Sequence, residues 1–131
     1  MPPFPFTGWT VRTDFLAKNP GLVVDFAKAY LRGARWVNDP ANRDKAIDLL
    51  LSRTNVTRSD AQRSYDELVG KYRIFSSDGL TTDRSMSIVI DALAQLKLLN
   101  PPLPAPGSFY DNSIAKRAIA ELAREPGTKS P

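Results

Sequence analysis

The placement of two prolines, Asn19-Pro20 and Asp39-Pro40, constrains this chain more than any other feature. An asparagine side-chain oxygen is suited to accept a first-turn amide. Proline at the first helical position lacks only an N–H that would have no partner inside the helix. Between the two prolines, Val23, Phe26, Ala27, Tyr30, Ala34 and Val37 recur at three- and four-residue spacing. That spacing is one apolar stripe of an amphipathic helix, predicted from Pro20 to about Val37. Asp39-Pro40 then ends this helix and caps the next.

The rest of the chain reads as helix after helix. Thr13 is the expected cap of a short helix over Asp14 to Lys18. A further helix is expected over about Ala41 to Ser52, with Ala46, Ile47, Leu50 and Leu51 inward. Thr57 and Asp60 resemble a capping box with Asp in place of the usual Glu. They open a helix to about Lys71 that buries Ala61, Tyr65, Leu68 and Val69. Phe75 to Gly79 is a turn. Thr81 or Thr82 caps a helix to about Leu98 with Met86, Val89, Ile90, Leu93 and Leu96 as its stripe. Asn100 to Gly107 holds four prolines and is expected to be an extended surface connection. Asp111 caps a last helix, Asn112 to about Arg124, burying Ile114, Ala118, Ile119 and Leu122.

Strand signals are few. Thr7 to Arg12 alternates, with Trp9 and Val11 on one side, and suggests one short strand that would need partners this chain hardly offers. The expected fold is therefore mainly α, about five helices with at most one or two short strands. Residues 1–11 form a Pro/Phe-rich extended lead-in with that strand, 12–124 a helical domain, and 125–131 a disordered tail.

Composition narrows the chemistry. The chain has 131 residues, no cysteine and no histidine. Disulfides, thiol chemistry, Cys/His zinc sites and imidazole-dependent mechanisms are thereby excluded. Eighteen basic and 14 acidic residues give a net charge of +4. The charges are interleaved, as in Arg58, Asp60, Arg63, Asp66, Glu67, Lys71 and Arg73, which suits a solvated helix face. A nucleic-acid surface would need a basic stripe with aromatic platforms, and none is found. No stretch approaches the length of a transmembrane helix. The first residues, MPPFPFTGW, carry neither the basic nor the apolar region of a secretory signal.

No catalytic constellation is present: no G-x-S-x-G elbow, no Gly-rich phosphate loop, no carboxylate–histidine cluster. An enzyme is not expected, and neither a cofactor nor a metal is called for. Asp44 and Asp48 are four residues apart, but Arg43 and Lys45 flank the first, which suggests an exposed face. Phe109-Tyr110-Asp111 reads as a structural turn, the aspartate capping a helix while the aromatics staple the loop. Tyr30, Trp36 and Tyr65 at helical spacing read as core, and Asp78-Gly79 as a turn signal.

The order of signals over Thr10 to Phe15, Asn19-Pro20, Val23 to Tyr30, Trp36 and Asn38-Asp39-Pro40 resembles the C-terminal part of periplasmic solute-binding proteins that serve ABC importers. The type it is most similar to handles nitrate, aliphatic sulfonates, taurine and thiamine precursors. The likeness continues through Asp78-Gly79-Leu80, Pro101-Pro102 and Phe109-Tyr110-Asp111-Asn112, and so covers nearly everything after Gly8.

That resemblance implies the C-terminal part of a two-lobed α/β binding fold, which closes around a small solute by a hinge motion. It implies a periplasmic location, although the family's full-length members begin with a signal that is not seen here. It also implies an ABC permease as partner and an upstream portion, missing here, that makes most solute contacts. The stretch around Gly8 and Trp9 would lie near the crossing between lobes. There a glycine lets backbone approach a ligand and an indole offers an apolar face with one donor. Alternatively, Trp9 simply covers the core beside Pro3 and Pro5. Arg12 could face an anionic solute, though Asp14 is a nearer partner. A branch of the family makes a thiamine precursor with its own histidine and a cysteine-rich motif, and this chain has neither. The other reading is a truncated or stand-alone helical interaction module, as a monomer or a homodimer, with no ligand of its own.

Overall fold

Short-range hydrogen bonds decide where the helices begin. The computed structural model describes residues 7–125, so the Pro/Phe lead-in over 1–6 and the tail over 126–131 lie outside it. Among the described residues there are six α-helices and no strand. They are α1 (Thr13–Lys18), α2 (Pro20–Asn38), α3 (Arg43–Arg53), α4 (Arg58–Tyr65), α5 (Asp83–Gln95) and α6 (Ser113–Leu122). The chain is mainly α, as its periodicity predicts. Residues 7–12, where a strand was expected, are irregular; among the described residues no second strand exists to complete a ladder.

Several caps match the expected chemistry. The Asp39 carboxylate accepts the Ala41 N–H at 2.9 Å, opening a 3-10 turn over Pro40–Asn42 that leads into α3. Thr57 Oγ1 accepts the Asp60 N–H at 3.2 Å and donates to the Asp60 carboxylate at 2.7 Å. Thr82, rather than Thr81, caps α5. Its hydroxyl accepts the Ser85 N–H and the Ser85 hydroxyl accepts the Thr82 N–H, both at 3.2 Å, in a capping box. Two expected caps differ. Thr13 is the first residue of α1, with Arg12 in the cap position. Asn19 donates its side-chain amide to the Phe15 carbonyl at 3.2 Å and offers its backbone oxygen to the Val23 N–H.

The described chain divides into two compact units, residues 26–79 and residues 7–25 with 80–125, and the boundary at 25/26 falls within α2. In the first unit Leu31, Ala34, Ile47, Ala61 and Val69 are buried. Here α4 widens into one π turn over Asp66–Lys71, closed by the Tyr72 N–H on the Glu67 carbonyl at 2.8 Å. The sequence predicted a uniform helix to Lys71. Arg43 grips Asp66 through two bonds, Nε at 2.9 Å and Nη2 at 2.8 Å, which ties the start of α3 to that π turn. The Tyr65 hydroxyl donates to the Val37 carbonyl at 2.8 Å. Asn38 and Arg35 donate to the carbonyls of Phe75 and Ser77, fastening the 72–79 loop to the end of α2. Gly79 closes that loop at φ +65°, where a Cβ would also sit 3.4 Å from Leu31 Cδ2.

In the second unit Val24, Ile90, Ala118 and Leu122 are buried. A two-way clamp joins distant segments: Asn112 Oδ1 accepts the Thr81 N–H at 3.1 Å and Asn112 Nδ2 donates to the Thr81 carbonyl at 2.8 Å. The Tyr110 hydroxyl donates to Asp83 Oδ1 at 2.7 Å, holding the start of α5. The end of α5 is a Schellman motif. Leu98 N–H reaches the Leu93 carbonyl and Lys97 N–H the Ala94 carbonyl, both at 2.9 Å, with Lys97 in the left-handed region at φ 59°. That early stop leaves Leu96, expected in the core stripe, 68% exposed.

The phase of α2 also differs from the expectation. Its buried residues are Val24, Leu31 and Ala34, while Phe26 is exposed. Leu50 and Leu68, expected inward, are exposed as well.

Candidate functional site

Gly8, Trp9 and Arg12 all fall in the irregular segment before α1. Gly8 and Trp9 are exposed, Trp9 71% so, and a Cβ on Gly8 would meet nothing within 4 Å. Arg12 is committed to Asp14, with Nε at 3.0 Å from Oδ1 and Nη2 at 2.8 Å from Oδ2. A bidentate pair satisfies the guanidinium fork, so an anionic solute would have to displace a carboxylate already in place. Both side chains are mostly in water, where the pair is heavily screened.

Beside this segment lies an open hollow of about 430 Å³ lined by residues within 10–19, Arg12, Asp14, Phe15 and Lys18 among them. It is formed by one stretch of chain and belongs to the surface. Solute sites enclose most of their ligand with groups converging from several elements. This hollow does not, and it leaves Gly8 and Trp9 out of its lining.

The remaining candidates fall into structural roles. Asp44 lies 3.4 Å from Arg43, and Asp48 accepts from Arg58 at 2.6 Å. Asp78 accepts from the Ser76 hydroxyl at 2.7 Å in the turn, whose Oγ in turn accepts the Gly79 N–H. Asp111 accepts the Ser113 N–H at 2.7 Å, and this bond chiefly holds its carboxyl below the usual range. Asp83 chiefly pushes the Tyr110 hydroxyl up. Phe109, read as a staple, is half exposed. Trp36, read as core, is 38% exposed, because the buried side of α2 runs through Leu31 and Ala34 instead.

Sequence reasoning missed the grouping around Arg43. Its guanidinium bonds to Asp66 and lies 5.8 Å from the Tyr65 ring centroid. The bond to Arg43 holds the Asp66 carboxyl below its ordinary value, and burial pushes the Tyr65 hydroxyl up. All three groups are thereby partnered within the fold, which makes this a structural joint. No local pattern could have found it, since 23 residues separate Arg43 from Asp66.

Among the described residues no group of three or more acidic side chains is placed to hold a metal ion, and no helix is long and apolar enough to cross a membrane. No known protein family, curated protein or solved structure matches this chain.

Proposed function

We propose that this chain is the helical C-terminal portion of a solute-binding component of an ABC-type importer for small nitrogen- or sulfur-containing compounds such as sulfonates, taurine, nitrate or thiamine precursors. One observation carries the reading. Large apolar side chains stand exposed on helix after helix: Leu22 and Phe26 on α2, Leu49 and Leu50 on α3, Leu68 on the π turn. Helices that normally lie against a central sheet would leave such surface uncovered when the sheet is not there. The order of helix starts and turns that resembles the importer family supplies the identity of the covering partner. It is a sheet-bearing upstream portion, on the same polypeptide or on another. In this reading most solute contacts come from that portion, and Gly8 and Trp9 are this chain's nearest residues to the solute. The chain alone binds small anions no tighter than millimolar.

The same exposed leucines favour a second reading, a self-associating helical module without a ligand. One experiment separates the two. The chain is co-expressed with the N-terminal portion of a sulfonate- or nitrate-type binding protein and tested for co-purification. Thermal melts are then run with a panel of sulfonates, nitrate, pyrimidines and small carboxylates. Co-purification with a solute-dependent rise in Tm supports the importer reading, because a ligand preferring the native state stabilises it. A stable homodimer that ignores both partner and solutes refutes it and supports the module.

A further inference from the structure

We draw no further inference here: the strongest candidate, the exposed apolar surface patch of Leu96, Leu98 and Leu103 following α5, carries nothing because nothing in the structure shows what covers it.

Discussion

Replacing Asn112 by alanine tests how far one side chain holds the unit formed by residues 7–25 and 80–125. Asn112 makes two hydrogen bonds to the backbone of Thr81, at 3.1 and 2.8 Å, in a half-buried setting. Each such bond contributes about 1 kcal/mol net, and a buried backbone group left unpaired costs about 1–3 kcal/mol. Water reaches part of this site, so the lower ends of those ranges apply, and the sum is about 2 kcal/mol. The loss is not one of helix capping, because Asp111 and not Asn112 serves the first-turn amide of Ser113. For a chain of this size, 2 kcal/mol corresponds to roughly 5–10 °C in Tm.

Asn112→Asp isolates one half of the clamp. It keeps the acceptor for the Thr81 N–H but replaces the donor by a carboxylate oxygen set against the Thr81 carbonyl, so its Tm should also lie below that of wild type. Asn55→Ala, at an exposed loop position, is the control and should change stability by less than about 0.5 kcal/mol. Thermal unfolding followed by far-UV circular dichroism reads all three. If Asn112→Ala melts within about 1 °C of wild type, the clamp contributes nothing and the argument from its geometry is wrong.

Leu31→Ala removes most of a side chain that is 2% exposed and should cost about 2–5 kcal/mol, measured by urea unfolding. Two backbone substitutions should act with opposite signs. Lys97→Gly relieves a left-handed residue at φ 59° and should add about 0.5–1 kcal/mol, whereas Gly79→Ala imposes that strain at φ +65° and should remove about 1 kcal/mol. Asp66 and Asp111 both have carboxyls held below the ordinary value of 3.8, the first mainly by its bond to Arg43 and the second by the Ser113 N–H. A depressed folded-state pKa gives stability that is present above the unfolded value and lost as pH falls through the folded one. Tm should therefore decline below about pH 4, and Asp66→Asn with Asp111→Asn should flatten that decline. An unchanged acid slope in the double variant would show that these carboxylates are not its source.

The sequence alone determined that the described residues are mainly helical and where several helices begin, the expected caps at Thr13 and Asn19 excepted. Those signals are local: the Pro20 start, the Asp39 carboxylate on the Ala41 N–H and Thr57 on the Asp60 N–H each act within three residues. It did not determine which face each helix buries. On α2 the apolar residues Leu22, Val23, Val24, Phe26, Ala27, Tyr30, Leu31, Ala34, Trp36 and Val37 cover more than one stripe, so periodicity leaves the phase open. The fold resolved it onto Val24, Leu31 and Ala34, exposing Phe26 and Trp36. The Arg43–Asp66 grip, the Asn112–Thr81 clamp and the Tyr110–Asp83 bond join residues 23 to 31 positions apart. Interleaved charges and polar side chains offer each of these residues many nearby alternatives. Only tertiary packing brings the chosen partner within hydrogen-bonding distance, and the same packing left Gly8, Trp9 and Arg12 on an open segment instead of enclosing them.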